Sequence, residues 1–322
     1  MAKSLRPENF DEYIGQKNTI DQLKTYVLAT KIRAAREPDD CALPHVVFEG
    51  GAGLGKTSIA NVTAKELGTN IRIMQGNSIE KLADLAQNLV VLEAGDILFI
   101  DEIHSLKPFI EEMLYSVMED YRLDIMIDDG AGGSKPVNIN LPQFTLMGAT
   151  TEIGRLKKPF RERFQYEFTM SQYTEDELTL ILKLNVGKMY CQFDSDKPAK
   201  KIAKASRGVP RVALTHLRKC CDWALVENDG VINLSIVDKA FELASISEEG
   251  LSANDIKYLT ALASRTRPTG LKNLAEITSI DKATIENSIE PYLHEQGYIE
   301  KLPNGRIITQ LGEVTLNAET GI

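Results

Sequence analysis

The chain is poor in the features that mark several specialised classes. Only four of its 322 residues are cysteines, Cys41, Cys191, Cys220 and Cys221. They form neither a C-x-x-C pair nor a metal-ligand spacing, which argues against a disulfide framework and for free thiols in a reducing compartment. No apolar run approaches the length of a membrane-spanning helix, and the start, MAKSLRPENF, lacks the hydrophobic region of a secretory signal. A cytoplasmic protein without membrane contact is therefore expected. Basic residues are in the minority, 37 against 46 acidic ones, for a net charge of −9. A broad basic surface that coats nucleic acid is excluded, so any DNA contact has to be traced to particular residues. Internal repeats, low-complexity tracts and long like-charge blocks are also missing.

What is present centres on residues 45–67, HVVFEGGAGLGKTSIANVTAKEL. An apolar strand, Val46-Val47-Phe48, leads into Gly50-Gly51-Ala52-Gly53-Leu54-Gly55-Lys56-Thr57, which fits G-x-x-x-x-G-K-T. Ile59, Ala60, Val62 and Leu67 then recur at helical spacing, with Gly68 as the stop. Strand, glycine loop and helix are the context this motif requires. Glycines such as Gly53 and Gly55 let backbone N–H groups close on phosphate oxygens, and the start of the helix adds its positive dipole end. Lys56 is placed to bridge the β- and γ-phosphates of ATP, and the Thr57 hydroxyl to ligate Mg²⁺.

The second chemical stretch is Ile97-Leu98-Phe99-Ile100-Asp101-Glu102, a buried parallel strand with acids at its carboxyl end. Asp101 is the expected second Mg²⁺ residue and Glu102 the general base that polarises the attacking water. A helix follows from Pro108 to Asp120, with Phe109, Met113 and Val117 on one face. Residues 121–140 read as two strands around the acidic, glycine-rich tip DDGAGG. Another apolar strand ends in Thr150-Thr151, hydroxyls that either sense the γ-phosphate and its water or merely cap the strand. Arg161-Glu162-Arg163 is either solvated surface or a finger offered to a neighbouring subunit's ATP.

Helix alternates with strand through residue 150, the pattern of an α/β sheet covered on both faces. The composition changes near residue 174, where Thr174-Glu175-Asp176-Glu177 forms a capping box and an all-helical stretch to about residue 245 begins. Arg211 opens one of its helices and can reach back to phosphates, whereas Trp223, Leu217, Cys221 and Leu225 read as packing. From Ser252 onward come three short helices, over Asn254–Ala263, Leu271–Ile277 and Asp281–Gln296, and a hairpin turning at Pro303-Asn304-Gly305. That is a winged helix, with Lys301 and Arg306 flanking the wing turn, where they can meet phosphates, and Glu290, Glu295 and Glu300 beside them to limit the contact.

The runs LRPENFDEYIGQ, GLGKTSIA, LFIDEIH, VMEDYRLDI, LPQFTLMGATT, RERF, SRGVPR, TIENSIEPYL and EQGYIEKLPNGR together resemble the RuvB family, AAA+ motors that drive branch migration of Holliday junctions. The resemblance implies an AAA+ P-loop ATPase domain with a parallel sheet over 1–173, a small helical lid domain over 174–246 and a winged-helix DNA-binding head over 247–322. It implies that Leu5, Arg6 and Tyr173 surround the base and ribose, that Gly53, Lys56, Thr57 and Ser58 hold the phosphates, and that Glu119-Asp120-Tyr121 touches the nucleotide. Thr151 becomes sensor 1, Arg163 the trans arginine finger, Arg211 sensor 2, and Lys301 and Arg306 the DNA contacts. The implied assembly is a homo-hexamer on duplex or Holliday-junction DNA, joined by a RuvA-like junction-binding protein through the hairpin at 124–140. Alternatives within reach of the same motifs are a clamp-loader-like or protein-remodelling ring ATPase and a nucleotide-switched DNA-binding scaffold. The chain departs from the family pattern where Gly51 and Ala52 replace two loop prolines, where Ser105 and Glu152 replace arginines, at the acidic hairpin tip, and where wing arginines are Lys301 and Asn304.

Overall fold

Uninterrupted apolar runs make strands buried on both faces, and such strands stack in parallel under covering helices. In the computed structural model, which describes residues 4–128 and 134–320, this gives a five-stranded sheet in the first of two compact units, Met1–Tyr173 and Thr174–Ile322. The first unit's strands are β1 (Val46–Glu49), β2 (Ile71–Gln75), β3 (Ile97–Asp101), β4 (Arg122–Asp128), β5 (Ser134–Asn140), β6 (Thr145–Thr150) and β7 (Tyr166–Thr169). The sheet runs β2-β3-β6-β1-β7, every pairing parallel. Its helices are α1 (Lys17–Arg36), α2 (Lys56–Leu67), α3 (Leu82–Leu89), α4 (Pro108–Asp120) and the short α5 (Lys158–Arg161). Ile20, Leu23 and Val27 of α1 are buried on one face, as their spacing predicts.

One residue of an expected face is misplaced. On α4 the buried apolar side chains are Ile110, Leu114, Val117 and Met118, and Met113 packs against the same core, while Phe109 is 44% exposed. Both stripes have helical spacing, and the sheet settles the choice, since Ile110 and Leu114 join the core of Leu98, Ile100 and Ile103. After α4, β4 and β5 form the expected antiparallel hairpin, paired from Arg122 with Asn140 to Asp128 with Ser134. The tip predicted to meet a partner, residues 129–133, lies outside the described residues.

The second unit holds both the helical stretch and the winged helix. It begins with α6 (Glu175–Val186), where the capping box forms as expected: Thr174 Oγ1 accepts the Glu177 N–H at 3.2 Å, and Glu177 Oε2 accepts the Thr174 N–H at 2.8 Å. Helices α7 (Asp196–Lys204), α8 (Pro210–Glu227) and α9 (Leu234–Leu243) follow. This stretch is not all helical, because the turns before α7 and α9 meet as a parallel pair, β8 (Gln192–Phe193) and β9 (Val231–Ile232). Leu217 and Cys221 are packed as expected, but Leu225 is 49% exposed.

The winged helix consists of α10 (Ala253–Ala263), α11 (Leu271–Thr278), a third helix and the hairpin β10 (Ile299–Leu302) and β11 (Gly305–Ile308). Ile285, Ile289 and Leu293 face its core. The third helix is interrupted, passing through a π turn at Ile285–Ile289 before resuming at Glu290–Glu295. Pro291, which has no N–H to give to the preceding turn, stands at that junction. A C-terminal helix, Gln310–Thr320, packs beyond the hairpin and was not expected.

Candidate nucleotide site

A parallel sheet sends the carboxyl ends of its strands to one edge, so the loops after β1, β3 and β6 are neighbours by topology. The Gly50 N–H donates to Thr150 O at 3.1 Å, which fastens the start of the phosphate loop to the end of β6. Gly55 caps α2 with a φ of 103°, a left-handed conformation natural to glycine. The Lys56 ammonium folds over the loop and donates to Gly50 O at 2.6 Å and Gly51 O at 2.9 Å. Gly53 lies within the same loop, and Thr57 and Ser58 occupy the first turn of α2.

The N-terminal arm completes this side. It is anchored on the end of α2 by the Glu8–Lys65 ion pair at 2.5 Å and by the Phe10 N–H donated to Glu66 Oε1 at 3.2 Å. Tyr13 then donates its hydroxyl to Gly55 O at 3.2 Å, and Tyr173 donates to Leu54 O at 3.2 Å, with the two phenol oxygens 3.5 Å apart. Burial, reinforced by Tyr173, holds the Tyr13 phenol well above its usual range, so it remains a neutral donor. A side chain at Gly15 would strike the Tyr173 ring, and one at Gly55 the Tyr13 hydroxyl. Tyr173, expected at the base and ribose, is thus hydrogen-bonded to the loop; Leu5 is half-buried and Arg6 exposed in the arm leading to it. Tyr13, which was given no role from the sequence, is the partner that the motif alone did not reveal.

Asp101 ends β3, and its Oδ1 accepts the N–H of Glu102 at 3.1 Å. Glu102 adopts a left-handed backbone, φ 48°. Its Oε2 lies 3.3 Å from Thr151 Oγ1 and 3.3 Å from His104 Nδ1. The structure therefore brings Thr151 to the expected base. Thr150 is buried, with its Oγ1 2.9 Å from His104 Nδ1 and accepting the Glu152 N–H at 2.9 Å, so of the two hydroxyls it is the one engaged in the strand end. A hydroxyl on Thr57 and one carboxylate on Asp101 are hard oxygen donors, the set Mg²⁺ takes when phosphates and waters complete its octahedron.

Arg163 belongs to a separate cluster. Its Nη2 is 3.0 Å from Glu119 Oε1, its Nη1 donates to Pro159 O at 2.6 Å, and its guanidinium lies 4.5 Å over the Tyr115 ring. Its Nε is buried with no hydrogen-bond partner among the described residues. No hydrogen bond or ion pair among those residues joins it to residues 50–58 of its own chain. The predicted Glu119 and Arg163 are thus together, and Asp120 is exposed next to them. Tyr121 packs inward, its ring edge-on to Phe144 at 5.8 Å and tilted against His45 at 6.1 Å. Arg211 opens α8 in the second unit with an exposed side chain.

Comparison with known families matches three domains along the chain. The Holliday junction DNA helicase RuvB P-loop domain matches residues 5–170, the RuvB AAA lid domain residues 173–247, and the RuvB C-terminal winged helix domain residues 248–317. The chain belongs to the RuvB family. Among its RuvB relatives, the Holliday junction branch migration complex subunit RuvB of Aliarcobacter butzleri is 46% identical over 308 residues, 94% of this chain and 86% of the relative. The protein of the same description from Helicobacter acinonychis is 43% identical over 318 residues, 98% of this chain and 92% of its own. The solved Thermotoga maritima RuvB Holliday junction branch migration motor matches with a TM-score of 0.83 at 37% identity, covering 97% of this chain and 98% of that one.

In this RuvB chain the two wing cations predicted to meet DNA are directly paired across the hairpin, Lys301 opposite Arg306. Both are bound to one buried carboxylate. Glu290, with a side chain 0% exposed, lies 2.7 Å from Lys301 Nζ and 2.7 Å from Arg306 Nε. It also accepts the hydroxyl of buried Tyr258 at 2.8 Å. Burial pushes the Glu290 carboxyl up, but the hydrogen bonds from Arg306, Lys301 and Tyr258 outweigh it and hold the group below the usual carboxylate range. A glutamate just before a proline gave no signal of this in the sequence.

Proposed function

We propose that this chain is the motor subunit of a Holliday junction branch migration complex, hydrolysing ATP in a hexameric ring to move duplex DNA. The observation that carries it is family membership along the whole length, above all the RuvB winged helix at residues 248–317. A clamp loader or protein remodeller shares the phosphate loop and acidic strand, but not that domain.

Each part then has a physical role. The glycine loop and the positive end of α2 bind the phosphates, and Lys56 sets charge against the γ-phosphate as it transfers. Thr57 and Asp101 would hold Mg²⁺, which neutralises phosphate charge when bound. Glu102 accepts the proton of the attacking water, and Thr151 keeps that carboxylate in place at 3.3 Å. Leu5, Arg6 and Tyr173 border the base and ribose. Arg163 acts on a neighbouring copy's nucleotide: its cation is held rigidly by Glu119, Pro159 O and Tyr115, and its buried Nε still lacks an acceptor. Arg211 is the residue assigned as sensor 2 of the γ-phosphate. Lys301 and Arg306 touch the DNA backbone, and the hairpin at 124–140 receives a RuvA-like partner.

The test is ATP turnover with and without duplex DNA at low salt, with Glu102→Gln as the blank, followed by migration of a four-way junction. Stimulation by DNA and movement of the junction are expected, and Glu102→Gln should retain nucleotide with turnover lowered by about a hundredfold or more. Turnover indifferent to DNA would shift the reading to a remodeller of another substrate.

A further inference from the structure

Glu102 alone does not account for its own orientation. Its two contacts are both on Oε2, Thr151 Oγ1 at 3.3 Å and His104 Nδ1 at 3.3 Å. Oε1 has no hydrogen-bond partner among the described residues. His104 is itself enclosed, its side chain 8% exposed, with Nδ1 also 2.9 Å from Thr150 Oγ1 and Nε2 3.8 Å from Glu152 Oε1. An ionised carboxylate has no proton to give, so the nitrogen facing Glu102 satisfies it only by carrying one. The Nδ1–H tautomer is inferred from these partners: its one proton lies between Thr150 Oγ1, the hydrogen-bond partner at 2.9 Å, and Glu102 Oε2 at 3.3 Å. Nε2 then carries no proton, so Glu152 at 3.8 Å is a neighbour of the ring and not an acceptor for it.

We propose that His104 is a positioning residue for ATP hydrolysis. By holding Oε2, His104 fixes the carboxylate plane and leaves Oε1 to act. A water proton passes to Oε1, the water oxygen bonds to the γ-phosphorus, and the bond from that phosphorus to the bridging oxygen breaks, leaving ADP and phosphate. This inference rests on Glu102 being the base.

The experiment measures kcat and KM for ATP on the full chain with duplex DNA, for Glu102→Gln, His104→Ala, His104→Asn and His104→Gln. His104→Ala should lower kcat about tenfold with KM within about twofold, because an unoriented base loses part of the rate that general-base catalysis supplies. Asparagine can place its amide nitrogen where Nδ1 stands and should restore most of the loss; glutamine, whose amide falls at the Nε2 position, should not. A purely structural histidine would give no such split between asparagine and glutamine, and those two variants decide the matter even where alanine fails to fold. Equal kcat for His104→Asn and His104→Gln, or His104→Ala within about twofold of the parent, overturns the positioning role while leaving the base intact. Full turnover by Glu102→Gln overturns the base assignment itself, and the positioning role with it.

Discussion

Replacing Glu290 by glutamine removes the buried negative charge that holds the wing to the third helix. Four polar groups depend on it: Tyr258 Oη at 2.8 Å, Lys301 Nζ at 2.7 Å, and Arg306 Nε and Nη2 at 2.7 and 3.3 Å. Breaking a buried pair while leaving the opposite charge in place typically costs about 3–5 kcal/mol. The Arg306 side chain is 20% exposed and has Glu286 at 3.9 Å, and Lys301 is 41% exposed, so both recover some solvation. Glutamine also keeps an acceptor for Tyr258. The expected loss is therefore about 2–3 kcal/mol, or roughly 5–10 °C in the melting temperature of the second unit. Calorimetry of the full chain at pH 7 measures it. The pH dependence supplies a second readout. A carboxyl held below its ordinary range stabilises the fold above its unfolded value, and that contribution is lost as pH falls through the folded value. The variant should lack this part of the acid dependence. Lys301 and Arg306 would also be released, so binding to duplex should tighten at low salt even as stability falls. An unchanged melting temperature would refute the reasoning, since it would mean that the buried carboxylate is not what fixes the wing.

Two other outcomes are expected. Burial lowers the imidazole of His45 in the first unit from 6.5 to about 4 and that of His216 in the second likewise to about 4. Each unit then loses about 3 kcal/mol as pH falls from about 6.5 to 4, because the unfolded state takes up the proton first; a His45→Gln chain with the same acid slope would contradict this for the first unit. Arg163→Ala should abolish hydrolysis, by roughly a thousandfold, and regain part of it when mixed with Lys56→Ala subunits, since each supplies what the other lacks; no recovery at any mixing ratio would count against a site shared between copies.

Much of the nucleotide site was legible because its chemistry is contiguous. Gly53 to Ser58 and Asp101-Glu102 carry their roles at fixed short spacings, and the all-apolar strands before them leave no choice of sheet type. What stayed hidden depends on residues distant in sequence. Tyr13 and Tyr173 are 160 positions apart, and His104 meets Thr150 across 46. Phe109 was misplaced because apolar residues cover a wide arc of α4, and only the sheet selects Ile110 and Leu114 beside Val117. The C-terminal helix gave no periodic signal, since Leu311 and Val314 are exposed and only Leu316 of the three is buried. Glu290 read as a charge opposing DNA binding; in the fold it is a buried anchor on which the wing cations are fixed.

That anchor bears on how an acidic chain can work on DNA. Lys301 and Arg306 both contact Glu290, so a phosphate approaching the wing competes with an internal carboxylate for the same cations. In the proposed assembly each protomer's hold on the duplex would be weak, with a shallow salt dependence because few phosphates are neutralised. For a static DNA-binding protein this would be a defect. A translocating ring would have the opposite requirement, because every grip has to be released once per step. Several weak contacts on one duplex add through effective concentration, so the proposed ring would stay bound while individual wings let go. The net charge of −9 and the neutralised wing thus fit a motor that depends on assembly for its grip, as Arg163 suggests it does for its chemistry.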